Sequence, residues 1–141
     1  MEITEEYSVL KALSEKHHDL YITISNDPLD MPSENSEGYV EYKRTISPIT
    51  ESKLQSYATQ MLWRINENKK RFAVYFIGID DDGSVVGLCE SDLLSNIDSL
   101  IEIVKTIDGS IAGVKLIKVE NMFVIRAIIK SKIRQSFVVD L

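Results

Sequence analysis

A chain of 141 residues, 44% hydrophobic and 27% charged, has the length and composition of one soluble domain that buries a core without staples. Its one cysteine, Cys89, excludes an internal disulfide and fits a reducing compartment; with an acidic amino terminus unlike a signal peptide and no apolar run of membrane-spanning length, the expected location is cytoplasmic. The net charge of −6 argues weakly against nucleic acid, but it is polarised: residues 1–41 sum to −8, residues 42–110 to −2 and residues 111–135 to +5, with Asp140 completing the total.

Taken in chain order, residues 3–17 read as a helix, with Thr4 as N-cap, Glu5 and Glu6 in the first turn, and Val9, Leu10 and Leu13 on a narrow apolar face. Residues 20–24 form a short β-like run, closing an amino-terminal section of residues 1–24. Residues 25–37, rich in Pro, Ser, Asn and acids, read as an acidic flexible loop or mobile linker. Residues 39–46 alternate as a half-exposed strand, with Tyr39, Glu41, Lys43 and Thr45 on one face and Val40, Tyr42, Arg44 and Ile46 on the other. Thr50 caps a long helix to about Asn68, whose stripe is Leu54, Ala58, Met61 and Ile65; Trp63 reads as packing beside it.

Phe72–Leu88 reads as a β-hairpin turning at Asp82-Gly83, its first strand apolar enough for the centre of a sheet. The consecutive Asp80, Asp81 and Asp82 lack the alternating spacing of a calcium loop and are assigned to the turn. A second long helix then runs from Glu90 or Ser91 to about Ile107, burying Leu93, Leu94, Ile97, Leu100, Ile101 and Val104 and stopping at Asp108-Gly109. Strands at about 112–119, 122–130 and 135–140 complete the chain, the first two turning at Asn121. The predicted class is α+β: a mainly antiparallel sheet covered by two long amphipathic helices, plus an N-terminal helix.

Catalytic and cofactor signals are few. There is no GxxxxGK[ST] or GxGxxG cradle for a nucleotide phosphate, and one cysteine with the adjacent His17 and His18 makes no usual zinc spacing; no cofactor is expected. The histidines read as exposed helix residues and Cys89 as a small buried thiol. Basic clusters remain. Lys43 and Arg44 lie on the strand before the long helix, and Lys69, Lys70 and Arg71 follow that helix, where cations also complement its dipole. Arg126, Lys130, Lys132 and Arg134 all have even numbers, so one continuous strand would carry them on a single face. A row of one sign repels itself unless something anionic lies opposite. RNA phosphate would serve, and so would the acidic amino-terminal segment folding back.

The stretches Glu41-Tyr42-Lys43, Ala58-Thr59-Gln60-Met61-Leu62-Trp63-Arg64-Ile65-Asn66-Glu67, Tyr75, Ile77-Gly78-Ile79-Asp80-Asp81-Asp82-Gly83 and Val86-Gly87-Leu88 together resemble the amino-terminal domain of the elongation-factor-like translational GTPases called GTP-binding proteins one and two. The likeness covers roughly residues 38–141. In that family a GTPase domain begins after a stretch similar to residues 135–141, where this chain stops, so GTP hydrolysis is not carried over. A free-standing domain of this kind also looks like the microsporidian dormancy factor, which the resemblance implies occupies the tRNA exit site of inactive ribosomes. A more distant likeness is to the Schlafen-type AlbA-related domain, some of whose members cleave RNA with paired carboxylates. Glu41 stands at its Glu-x-Lys position, but Ser36 stands five residues earlier and a second glutamate is not evident.

The resulting expectation is a non-enzymatic ribosome-binding factor, touching rRNA and ribosomal proteins near the exit site, with no membrane and no nucleotide. Its expected contacts are Lys43, Arg44, Arg64, Lys69, Lys70, Arg71, Arg126, Lys130, Lys132 and Arg134. Two alternatives are a metal-dependent RNase using Glu41 with Asp80 or Asp81, and a protein–protein adaptor whose acidic 25–37 loop binds a basic partner.

Overall fold

The computed structural model of the protein describes residues 2–67 and 69–131. Three helices, α1 (Glu2–Lys16), α2 (Glu51–Asn66) and α3 (Glu90–Thr106), accompany five strands, β1 (Ile22–Ser25), β2 (Val40–Lys43), β3 (Phe72–Ile77), β4 (Gly109–Val119) and β5 (Met122–Ser131). The strand order is β1-β4-β5-β3-β2. The α+β class holds, but the sheet is mixed rather than mainly antiparallel. Its inner pairs β4–β5 and β5–β3 are antiparallel, whereas β1–β4 and β3–β2 are parallel. The reason is connectivity: β2 and β3 are neighbours joined by α2, and a helical crossover returns the chain in the same direction.

Each helix follows from its sequence. The Thr50 side chain accepts from the Lys53 N–H at 3.2 Å, capping α2, and Ala58, Met61 and Ile65 are buried. In α3 the buried face is Leu93, Ile97, Leu100, Ile103 and Val104, while Leu94 and Ile101 are only partly covered. At 16 and 17 residues these helices are shorter than expected. Helix α1 begins at Glu2, before Thr4, and buries Leu13 completely in the same core. All three helices contribute to that core from one face of the sheet, opposite Ala73, Tyr75 and Ile77 of β3, Val114 and Leu116 of β4, and Phe123, Ile125, Ala127 and Ile129 of β5.

The expected Phe72–Leu88 hairpin is only half formed. Its first arm is β3; its second makes one bridge, Ile79 to Val85, and then leaves. Gly78 and Gly87 both take positive φ, and the N–H groups of Val86 and Gly87 converge on the Gly78 carbonyl. That kink delivers Leu88 to Phe123 at the start of β5, with paired bonds of 2.7 and 2.8 Å. The aspartates do shape the turn. The Gly83 N–H donates to the Asp80 carbonyl at 2.9 Å, the Ser84 N–H and hydroxyl donate to Asp82 Oδ1, and these bonds hold the exposed Asp82 carboxyl below its ordinary range. The strand expected at 135–140 lies outside the described residues, as do Lys132 and Arg134.

Beyond Ser25, the last residue of β1, the acidic 25–37 segment contains no regular element, and it is fastened along the sheet as a strap. Leu29 and Met31 pack on a second apolar cluster, Tyr42, Ile79, Ile117 and Val124, on the face away from the helices. The Tyr42 hydroxyl donates to the Pro32 carbonyl at 2.9 Å, and the Glu34 N–H donates to the Asp81 carbonyl at 2.7 Å. Gly83 permits this approach, since a β-carbon there would collide with the carbonyl oxygens of Met31 and Pro32.

Candidate nucleic-acid interface

Of the ten basic residues singled out in the sequence, the eight that lie among the described residues do not form one surface. Arg64 is 3% exposed and belongs to the interior. Its Nε donates to Glu41 Oε1 at 2.7 Å and its Nη1 to the Gly38 carbonyl at 2.9 Å, while Nη2 lies 3.7 Å from Glu34 Oε2. Lys43 joins the same network, its Nζ 3.5 Å from Glu41 Oε2 and 4.9 Å from the centre of the Tyr57 ring. The Arg64 charge is thus spent inside the domain, and that of Lys43, whose side chain is 21% exposed, is shared with Glu41 and Tyr57. A guanidinium is suited to this place because its planar fork satisfies several acceptors at once.

Glu41 is itself 2% exposed, both of its carboxylate oxygens facing cations. This position ties β2 to α2 and does not present the carboxylate to solvent, as hydrolysis of RNA would need. Among the described residues no group of three His, Cys, Asp or Glu side chains is placed to hold a metal ion. Glu34 accepts from the Tyr42 N–H at 2.6 Å; burial raises its pKa, against the opposing pull of that bond and of Arg64. The Tyr75 hydroxyl, also beside Glu41, is buried without a hydrogen-bond partner, and desolvation followed by the Glu41 charge pushes its pKa far up.

Three other readings also change. Cys89 is exposed and sits at the N-cap of α3, 3.2 Å from Asp92 Oδ2. The histidines lie beyond the end of α1; His18 is exposed as expected, but the His17 side chain is only 17% exposed, its Nε2 2.8 Å from Asp98 Oδ1. Trp63 is 45% exposed, its ring 5.1 Å from the Arg64 guanidinium, so it is not the packed indole expected.

What remains is a basic region on the helix-free face. Odd residues of β5 point into the core, so the even ones, Arg126, Ile128 and Lys130, point the other way. Arg126 stands directly opposite Lys115 on β4, and Lys130 opposite Phe72 on β3. Like charges directly opposite one another destabilise a sheet. Among the described residues neither Lys115 nor Arg126 nor Lys130 has an acidic ion-pair partner, because the strap's acids are spent elsewhere or face solvent. Lys69, Lys70 and Arg71 lie in the connection that leads into Phe72, and so at the Lys130 end of the sheet. Arg44 is exposed elsewhere, beside Ser47, Val86 and Asp92.

Two residues on this face were missed. Lys115 lies in the basic 111–135 segment but outside the expected contacts, although its register on β4 opposes it to Arg126. Tyr21, 71% exposed, precedes an alternating Ile-Thr-Ile whose isoleucines pack on the core, and that alternation signalled the outward side of β1. Tyr21, Thr23, Gly113, Lys115, Arg126 and Ile128 line one shallow groove.

The fold and this face define an α+β domain with one helix-covered and one partly bare, basic sheet surface. The chain is 44% identical over 122 residues to an uncharacterized protein of Acanthamoeba polyphaga mimivirus, a match covering 86% of this chain and 66% of the viral protein. It is 31% identical over 87 residues to GTP-binding protein 2 of mouse and of human, covering 62% of this chain and 14% of those proteins. The chain is thus related to a small part of GTP-binding protein 2. No protein-family model and no solved structure matches it. No described helix is long and apolar enough to cross a membrane.

Proposed function

We propose that this domain is a non-enzymatic RNA-binding module of the translation apparatus, which docks on the ribosome through its helix-free sheet face and blocks the tRNA exit site of inactive particles. The observation that carries the RNA contact is the opposition of Lys115 and Arg126 without an anionic partner among the described residues, with Lys130 further along the same face. A phosphate backbone supplies the missing negative charge. Lys69, Lys70 and Arg71 extend the contact at one end, and the sequence after β5 continues to Lys132 and Arg134. The translation context comes from the similarity to GTP-binding protein 2 and the resemblance to translational GTPases, the exit-site placement from the resemblance to dormancy factors, and the cytoplasmic location from the single cysteine, which fits a reducing compartment.

Co-sedimentation with vacant ribosomes over a potassium chloride series tests this reading. Each phosphate neutralised contributes about −0.7 to −0.9 to the slope of log K against log salt. The double reversal Lys115→Glu, Arg126→Glu abolishes co-sedimentation at moderate salt, and deacylated tRNA competes with the wild-type protein. Salt-indifferent binding, or binding that survives the reversal, defeats the RNA contact; simultaneous binding with exit-site tRNA defeats the placement alone.

A further inference from the structure

We infer that Tyr21 is a stacking platform for an unpaired base, so that the nucleic acid taken by the helix-free face is single-stranded. This inference rests on the RNA-binding reading above and specifies its ligand.

The chain places an aromatic ring where packing does not need it. Ile22 and Ile24 point into the main core, and the alternation turns Tyr21 and Thr23 to the opposite face. The Tyr21 carbonyl accepts from the Val114 N–H at 2.9 Å, which anchors its backbone against β4 one residue before β1 formally begins. Its ring is nevertheless 71% exposed. Beneath it lies Gly113, with Tyr21 Cδ2 3.9 Å from where a β-carbon on that glycine would stand. At Gly113 the neighbouring sheet surface is therefore bare backbone, next to the register irregularity between Ile111 and Gly113. A large apolar ring held at a fixed position and left mostly in water offers one face to another flat group.

The neighbours of that ring indicate which flat group. Lys115 and Arg126 line the same groove as Tyr21, and Ile128, opposite Gly113, supplies an apolar floor. The groove encloses about 240 Å³, below the range of about 300–1,000 Å³ for pockets that surround a drug-sized ligand. It is shallow, so a planar group lies on it rather than inside it. An aromatic platform flanked by two cations is the combination that single-stranded nucleic acid requires: the ring stacks on a base, and the cations follow the backbone. A duplex keeps its bases stacked inside and would meet only the charges. An acidic peptide would satisfy Lys115 and Arg126 but would leave Tyr21 without a planar partner.

Fluorescence anisotropy with a labelled 12-nucleotide single-stranded RNA, an abasic 12-mer on the same backbone, and a duplex of equal length tests this. The wild-type protein should prefer the base-bearing single strand to both others. Tyr21→Ala should weaken RNA binding roughly 5- to 150-fold, the range for loss of one base–aromatic stack, without changing the salt slope or abasic binding. Tyr21→Phe should bind as the wild type does. Arg126→Gln should instead lower the salt slope by about one on both the RNA and the abasic strand. If Tyr21→Ala binds RNA as tightly as wild type, or if the abasic strand binds equally well, the stacking inference falls while salt-steep binding keeps the phosphate contact standing. If no strand binds even at low salt, the RNA-binding reading falls and takes the inference with it. Loss of a protein partner in Tyr21→Ala, with RNA affinity intact, also overturns the inference.

Discussion

Replacing Arg64 by leucine should unfold the domain's edge rather than subtract an RNA contact. The guanidinium bonds Glu41 and Gly38 and approaches Glu34, and Glu41 is 2% exposed. Removing it leaves the Glu41 carboxylate buried with only Lys43 nearby, at 3.5 Å. Breaking a buried pair from one side costs about 3–5 kcal/mol, because the remaining charge has lost both its water and its partner. For a chain of 141 residues, at about 3 °C per kcal/mol, the midpoint should fall by roughly 9–15 °C. Thermal unfolding followed by circular dichroism reads this directly. The double variant Glu41→Leu, Arg64→Leu should recover most of the loss, since apolar replacement of a whole buried pair is often neutral or better. An Arg64→Leu protein that melts within about 2 °C of wild type and has a shallower salt slope for RNA would refute the reasoning, and would return Arg64 to the surface contacts.

Other outcomes follow from the same structure. Gly83→Ala must adopt a φ of +93° and meet the Pro32 carbonyl oxygen at 2.7 Å, so it should cost at least about 1–3 kcal/mol and make the strap a target for limited proteolysis; resistance equal to wild type would contradict the packing of strap on turn. Glu34 has a raised pKa chiefly through burial, so its contribution to stability is present below the ordinary value of 4.5 and is lost as pH rises through the raised value. Glu34→Gln, which keeps an acceptor for the Tyr42 N–H, should therefore melt at least as high as wild type at pH 7 and lose that advantage near pH 4; a melting difference that does not vary with pH would contradict this. At Asp98, burial pushes the carboxyl up, but the hydrogen bonds and charges of Lys16 and His17 outweigh it and hold the pKa below 3.8. Its contribution is present above that value and lost as pH falls through the lowered one. Because Asp98 is 40% exposed, Asp98→Asn should cost less than about 1 kcal/mol and speed amide exchange in α1 by less than about fivefold at neutral pH. Faster global exchange would show that the contact supports more than α1.

The helices were legible because the stripe of α2, with Ala58, Met61 and Ile65, repeats at helical spacing and Thr50 has the chemistry of a cap. Strand β5 was legible because its alternation is regular. Strand order was not, since whether β2 lies beside β3 in parallel depends on where α2 carries the chain. Arg64 shows the harder limit. It lies at i+3 from Met61, on the buried stripe, and that position carried the signal; only the arrival of Glu41 from β2 distinguishes a buried cation from an exposed one. Tyr21 and Lys115 likewise become neighbours only through the pairing of β1 with β4. Local pattern assigned faces, and long-range pairing assembled the candidate site.

The parallel pairing of β1 with β4 also bears on how the chain acquires its form. Met122–Ser131 folds back on Gly109–Val119 through a two-residue connection, so that ladder closes a short loop. Ile22 must instead wait for Val114, and most of the chain is synthesised between them. Loop-closure entropy makes such distant pairing late and slow. Strand β1 is therefore made early and should dock late, carrying Tyr21 with it. The groove beside Gly113 is completed only when that strand is in place, so an incompletely folded chain would carry the charges of the surface without its aromatic ring.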